Sequence, residues 1–176
     1  MTDWEKLSQL IKQRNHVDDE IASIINRPAL QGHIGEFIAS RIFNINLHQS
    51  ATKKGNDGFF NKGSLVGKSV NIKWYGKKEG ILDINPNSLP DYFLVLCGPK
   101  SNAQSSVGKS RPLKIDSVYL FESNSLIDNL RSRGVKIGIA TSVVTTQWEL
   151  AEIFPNQTNH FLELSPEQRS LLSLFS

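Results

Sequence analysis

Three polar side chains stand in otherwise apolar segments of the chain, and their types suit chemistry on a phosphate group. Glu36 closes the run G-H-I-G-E, Asp57 lies in N-D-G-F-F, and Lys73 lies in V-N-I-K-W-Y. Hydrolysis of a phosphodiester near neutral pH needs a hard cation on the phosphate, an activated water and relief of the developing negative charge. Two acids and an amine are residue types that meet those needs.

The two acids predict a site for a divalent cation. Mg²⁺ prefers carboxylate and carbonyl oxygens, so the candidate ligands are Glu36, Asp57 and the backbone carbonyl of Ile72, with Mn²⁺ as a substitute ion. Lys73 is the candidate for orienting the attacking water or neutralising charge. A lysine inside a central strand is costly to desolvate unless an anion or carboxylate lies close, which favours its placement in a site.

The helix that carries the glutamate follows from hydrophobic periodicity. Apolar residues recur with a period near 3.6 from Ala29 to Asn44, which predicts a helix around Glu36. Its neighbours one turn away, Gly32 and Ser40, are both small. The helix is therefore expected to approach another element closely at this point and to present the carboxylate.

Two further segments predict strands. Residues 70–75 are β-branched and aromatic, and residues 91–97 form a continuous apolar run typical of a central strand buried on both faces. The pair Asp57-Gly58 predicts a turn before another short strand. Alternation gives the first strand two faces, with Val70, Ile72 and Trp74 on one and Asn71, Lys73 and Tyr75 on the other.

The order of helical Glu, turn Asp and strand Lys, followed by an apolar strand, resembles the PD-(D/E)XK nuclease superfamily over about residues 29–122. The resemblance implies an α/β fold, a restriction-endonuclease-like mixed sheet with an αβββαβ core flanked by helices. It also implies that Glu36 is the helical Glu of the family, Asp57 its metal-binding Asp and Lys73 its catalytic Lys. Asn71 departs from the family, which usually has Asp or Glu two residues before the Lys, although an amide oxygen can still coordinate a metal.

The chain of 176 residues is long enough for one domain with a sizeable core. We expect a single domain over residues 1–176, with an N-terminal helical extension over about 1–27 and a core over about 29–140. The remaining periodic segments predict helices at Thr2–Arg14, Val17–Ile25, Ser125–Arg133 and Thr146–Phe154, and strands at Ser117–Phe121 and Lys136–Ala140.

Charge is unevenly distributed along the chain. Residues 51–80 contain seven lysines against two acids, whereas residues 149–176 contain four glutamates and one arginine. A basic middle suggests a surface for a polyanion, and solubilising lysines are the alternative. The candidate nucleic-acid contacts are Lys53, Lys54, Lys77 and Lys78 for the backbone and Tyr75 for stacking on a base. DNA is expected over RNA.

The single cysteine, Cys97, lies in an apolar run and is expected to be a small core residue in a reducing compartment. The N-terminus does not have the pattern of a signal peptide. No apolar segment approaches the ~20 residues of a membrane span. The sequence therefore predicts a cytoplasmic protein without a membrane partner, and it does not indicate an interface for a homodimer.

Asn71 leaves more than one function open. A metal-dependent phosphodiesterase of the endonuclease type, acting on nucleic acid, is the first interpretation. The second is a catalytically degenerate nuclease-like fold that binds nucleic acid or a protein partner without turnover. A small α/β protein that acts through other surfaces is the third.

Overall fold

The apolar and alternating segments form one mixed sheet flanked by helices in the computed structural model, which describes residues 1–49, 55–100 and 112–176. The class is α/β with a single domain, as predicted. The strands are β1 (Ile45–Leu47), β2 (Gly58–Phe60), β3 (Ser69–Tyr75), β4 (Ile81–Leu82), β5 (Tyr92–Cys97), β6 (Ser117–Glu122), β7 (Thr141–Ser142) and β8 (Glu152–Phe154).

Six of these strands make the central sheet, in the order β1-β2-β3-β5-β6-β8. All neighbours are antiparallel except β3 and β5, which run parallel with Lys73 opposite Val95. The short strands β4 and β7 form a separate antiparallel pair. The all-apolar strand β5 is buried at every position, which confirms the prediction that it is central.

The helices are α1 (Asp3–Ile25), α2 (Gln31–Ile42), α3 (Ser123–Ser132), α4 (Thr145–Ala151) and α5 (Pro166–Ser173), with a short 3-10 helix at Gly63–Leu65. Capping boxes start α1 at Thr2 and α5 at Ser165, because a side-chain oxygen there accepts from an otherwise unpaired N–H of the first turn. The two predicted N-terminal helices are one continuous helix, which ends at Asn26 in a left-handed conformation.

The core has two parts, one on each face of the sheet. Val70 and Ile72 of β3 point into the first part, which α2 and α5 cover, and this part also holds Leu164 and Leu172. The buried core therefore extends beyond residue 140. Residues Phe93 and Val95 of β5 point into the second part, which α3 and α4 cover.

The chain between β3 and β5 differs from the expected αβββαβ order. That order places a helix between the third and fourth strands of the sheet. Residues 76–91, all of them described, instead contain only β4, whose two residues pair with β7. The meander β1-β2-β3 and the parallel step to β5 are present without that helix.

Two predictions in the C-terminal third are wrong. Residues 136–140 are not a strand, because the backbone N–H and C=O of Gly138 both bond to the Thr141 hydroxyl at 2.8 Å in a local turn. Helix α4 ends at Ala151 instead of continuing to Phe154. The next three residues pair with β6 as β8, because the open edge of β6 offers them backbone partners.

No helix in the described ranges is long and apolar enough to cross a membrane.

Candidate active site

Helix α2 positions Glu36 through a close approach to β3. A Cβ on Gly35 would lie 3.1 Å from the Cβ of Trp74, so the absence of a side chain lets the helix pack on the strand. Gln31 fixes the same contact, because its Nε2 donates to the Trp74 carbonyl at 2.9 Å. The sequence predicted close packing here but assigned it to Gly32, around which a Cβ would meet nothing.

Glu36 is held by an ion pair. The Arg27 guanidinium, which follows the end of α1, donates to Glu36 Oε2. The Glu36 side chain is 21% exposed, so this pair is partly screened by water and partly enclosed. The carboxylate is thus oriented at the edge of a cleft, with one positive partner beside it.

The backbone of strands β1 and β3 fixes Asp57. Its N–H donates to the Val70 carbonyl at 2.8 Å, and its carbonyl accepts from the His48 N–H at 2.9 Å. The following Gly58 is required by a close approach, because a Cβ there would lie 2.2 Å from the Asn46 carbonyl oxygen. The predicted turn pair Asp57-Gly58 is therefore the entry into β2.

Strand β2 pairs with β3 as far as Gly58 and Val70. Beyond that pair, the Asp57 carboxylate takes the place of a backbone partner for β3. Its Oδ2 accepts from the Ile72 N–H at 2.6 Å. Since the N–H and C=O of one strand residue point to the same side of the strand, the Ile72 carbonyl also faces the Asp57 side. The predicted oxygen ligand of the main chain and the Asp57 side chain thus share one edge of β3.

The charges around Asp57 oppose one another. Burial raises the pKa of Asp57 above its ordinary value, and the hydrogen bond from Ile72 acts in the other direction. Glu36 raises the pKa further, whereas Lys73 and His48 lower it. Asp57 therefore interacts electrostatically with both other predicted groups of the site, and its ionised form lacks full compensation.

Asn71 and Lys73 approach from the other face of β3. Val70 and Ile72 point towards α2, so alternation turns Asn71 and Lys73 towards the opposite side. The Asn71 Oδ1 atom is buried and has no hydrogen-bond partner among the described residues. An unpaired buried amide oxygen costs free energy, and this oxygen donor lies on the same face of β3 as Lys73.

A cleft of about 610 Å³ opens in front of the two acids. Besides Glu36 and Asp57, its wall contains Arg27, His33 and His48. The Nδ1 of His33 donates to the Pro28 carbonyl at 2.9 Å, so its Nε2 is left as the acceptor in the neutral ring. The Nε2 of His48 pairs with the Asn56 side chain.

His48 is a residue of the site that the sequence did not single out. It stands one position beyond β1, and strand pairing places its N–H on the Asp57 carbonyl. A lone histidine has no spacing to mark it as part of a site. Only the β1-β2 register brings it beside the aspartate, nine residues along the chain.

The predicted nucleic-acid contacts lie apart from this cleft where they are described. The Lys77 ammonium pairs with Glu79 at 2.5 Å. Lys78 donates to the Tyr119 hydroxyl at 2.8 Å and lies 4.4 Å from the centre of that ring. Tyr75 packs against the second part of the core, and its hydroxyl accepts from the Asp83 N–H. Lys53 and Lys54 lie outside the described residues.

Cys97 has the structural role that the sequence predicted. Its side chain is fully buried in β5, and burial raises the pKa of the thiol to about 12. The thiolate that a nucleophile or a metal ligand needs is therefore scarce at neutral pH.

The donor atoms at the cleft fit a hard cation better than a soft one. No group of three or more His, Cys, Asp and Glu side chains within the described ranges could hold a metal. The oxygen donors near Asp57 are instead the two carboxylates, Glu36 and Asp57, and the Ile72 carbonyl on the Asp57 side of β3. Such oxygen ligands suit Mg²⁺, which keeps several of its waters and needs few protein ligands.

Comparison of the chain with protein-family models finds no match, and comparison with curated proteins finds none. The structure itself defines an α/β protein whose mixed sheet carries a two-carboxylate cleft at one edge.

Proposed function

We propose that this chain is a metal-dependent phosphodiesterase of the endonuclease type that acts on nucleic acid, with DNA expected over RNA. The observation that carries the proposal is the environment of Asp57. This half-buried carboxylate lines the same cleft as Glu36 and accepts from the Ile72 N–H at 2.6 Å. Burial raises its pKa, and Lys73 acts to lower it. Carboxylates with opposed environments in a cleft are typical of sites that bind a cation or move a proton.

The topology around Asp57 supports a restriction-endonuclease-like arrangement. Asp57 precedes the second strand of an antiparallel meander, Lys73 lies in the third, and β5 continues in parallel. Glu36 reaches the same region from the helix before the meander. This is the relative order that the resemblance implies, although the crossover from β3 to β5 lacks a helix.

Glu36, Asp57 and the Ile72 carbonyl would hold Mg²⁺, with Mn²⁺ as a substitute. The bound cation would supply charge neutralisation on the phosphate and a lower pKa for water. The Ile72 N–H keeps the Asp57 carboxylate turned towards the site through its bond to Oδ2. Arg27 plays the same orienting part for Glu36.

Lys73 would neutralise the charge that develops on the phosphate oxygens or orient the attacking water. Its lowering of the pKa of Asp57 means that the ammonium also favours the ionised carboxylate. His48 has the same effect when it is protonated. Asn71 would contribute its unpaired Oδ1 as a neutral oxygen ligand.

A nicking assay tests the proposal directly. Purified protein is incubated with supercoiled DNA, single-stranded DNA and RNA, with Mg²⁺, Mn²⁺ or EDTA. We expect cation-dependent cleavage that Asp57→Ala and Lys73→Ala each abolish. The matched controls are Asp128→Ala and Lys136→Ala, both at exposed positions away from the cleft. Cleavage that survives Asp57→Ala and Lys73→Ala contradicts the assignment.

A second candidate function is binding of nucleic acid without turnover. Two features favour it: Asn71 stands where the resemblance implies an acid, and Arg27 already pairs with Glu36. This candidate predicts salt-sensitive retention of DNA without cleavage and without cation binding. The variant Asn71→Asp discriminates between the two, because a decayed site would gain cation affinity when the acid is restored.

A further inference from the structure

The N-terminal part of α1 projects from the body of the protein without an intramolecular partner. Every residue from Met1 to Val17 is exposed, and the only buried residue of the helix is Ile25, at its last turn. The helix has 23 residues, a length of about 34 Å. A helical segment of this kind is marginal in water unless one of its faces is packed.

The projecting segment carries an apolar stripe that a monomer leaves in water. Trp4 is 80% exposed, Ile11 50% and Ile24 70%. Leu7, Leu10 and Val17 are each about half exposed on the same side of the helix. Exposed apolar side chains grouped along one side of a helix mark an interaction site.

The stripe has the spacing of a two-helix seam. Residues recur at alternating intervals of three and four, as in a heptad repeat, and the full set is Trp4, Leu7, Ile11, Arg14, Asp18, Ile21 and Ile25. Five of the seven are apolar. The two charged members stand next to each other at the middle of the seam and have opposite signs.

The charges identify a second copy of the chain as the partner. Lys12 and Arg14 precede the acidic run Asp18, Asp19 and Glu20. In an antiparallel pair of α1 helices, one stagger puts Arg14 of each copy opposite Asp18 of the other. A parallel pair would instead place like charges opposite each other, which is unfavourable.

The same antiparallel stagger aligns the apolar members of the seam. Ile11 then faces Ile21, and Leu7 faces the turn that carries the exposed Ile24. Each contact occurs twice, because a two-fold axis makes the interface self-complementary. We propose that the chain forms an antiparallel homodimer through α1, in which the Arg14–Asp18 pairs between the two copies fix the register.

Sedimentation equilibrium of the full chain tests the dimer. We expect a mass of about twice 19.7 kDa at micromolar concentration. Ile11→Glu should raise the dissociation constant at least ~100-fold, because each copy would bury an unpaired carboxylate in the seam. Gln9→Glu adds the same charge on the polar face of the helix, opposite to the seam, and should leave the mass unchanged.

A charge-swap experiment tests the register and separates contacts between copies from the Arg14–Asp18 pair within one helix. Arg14→Asp alone and Asp18→Arg alone should each be monomeric. Mixing the two variants should restore a dimer, because every cross-helix pair then joins opposite charges. A monomeric wild-type chain, a dimer that withstands Ile11→Glu, or a mixture that stays monomeric would each overturn the proposal. A monomer that binds lipid vesicles through α1 would overturn it as well.

Discussion

Two aspartates, Asp57 and Asp91, accept hydrogen bonds from the backbone of β3, but their pKa values shift in opposite directions. Asp91 accepts from the Ser69 N–H at 2.8 Å and from the Ser69 hydroxyl at 2.7 Å, with the Lys68 ammonium 3.4 Å away. Burial alone would raise the pKa of Asp91, but these partners outweigh it and the pKa is lowered. Asp57 also accepts from a β3 N–H, yet its pKa is raised.

The difference lies in what surrounds each bond. Asp91 remains partly in water and has its cation beside it, so its charge stabilises the start of β3 and β5. Asp57 is half-buried and has Glu36 as a neighbour in the cleft. Loss of contact with water raises its pKa, so its charge is a cost to the folded protein. A costly charge held in a cleft is what a cation-binding site provides before the cation arrives. Asp91 therefore stabilises the fold, whereas for Asp57 we propose a role in binding a cation.

The largest expected effect is on activity. Asp57→Asn should lower the rate of Mg²⁺-dependent cleavage by at least about 100-fold, because the variant loses a charged ligand of the cation that stabilises the transition state. The melting temperature should stay equal or rise, since the variant removes an uncompensated half-buried charge. Initial nicking rates and thermal unfolding measure the two quantities, with Asp128→Asn as the matched control.

The same substitution can also show that the two aspartates have the same role. If Asp57→Asn lowered the melting temperature as much as Asp91→Asn, both aspartates would be structural. The cleft would then lose its distinguishing feature.

Lys73→Ala tests whether Lys73 acts on both the phosphate and the Asp57 carboxylate. We expect a rate loss of about 100-fold from removal of a positive group at the developing charge. The acid limb of the pH–rate profile should also move to higher pH, because Lys73 lowers the pKa of Asp57 and its loss lets that pKa rise. A full profile for Lys73→Ala and for Lys136→Ala measures both effects. An unshifted acid limb would separate Lys73 from Asp57.

Asp91→Asn should show the opposite pattern to Asp57→Asn. The loss of charged acceptors for Ser69 is expected to lower the free energy of unfolding by about 1 kcal/mol, a small value because the Asp91 side chain is 41% exposed. The melting temperature should fall by about 2–4 °C. The cleavage rate of the folded fraction should be unchanged, as measured in the same nicking assay well below the melting temperature.

The smallest expected effect is the pH dependence of stability. A raised pKa means that folded Asp57 binds more protons than the unfolded chain above its ordinary pKa of 3.8, so its contribution weakens the fold as the pH rises through the raised value. The lowered pKa of Asp91 has the opposite sign, and its stabilisation is lost as the pH falls below 3.8. Urea unfolding at several pH values should show that the two Asn variants differ from wild type with opposite pH slopes.

The sequence predicted the parts of this fold that rest on local periodicity. The helix around Glu36 and the strands at β3 and β5 follow from patterns of one element each. The missing crossover helix and strand β8 depend on pairing with distant residues. No local pattern contains that information.

The candidate site shows the same division. Glu36, Asp57 and Lys73 could be selected because each residue type was unusual in its own segment. The Arg27 partner and His48 could not, because nothing in their segments distinguishes them and only the folded arrangement brings them to the cleft. Lys77 and Lys78 were selected by charge alone, and the structure gives both of them partners within the protein.

Titration calorimetry with Mn²⁺ tests most directly whether the cleft of Glu36 and Asp57 is a cation site. We expect the wild-type chain to bind Mn²⁺ more tightly as the pH rises, because the ligand carboxylates must be ionised. Binding should be lost in Asp57→Asn and retained in Asp128→Asn. If the wild-type chain did not bind Mn²⁺, or if Asp57→Asn bound it equally well, the cleft would not be the proposed cation site.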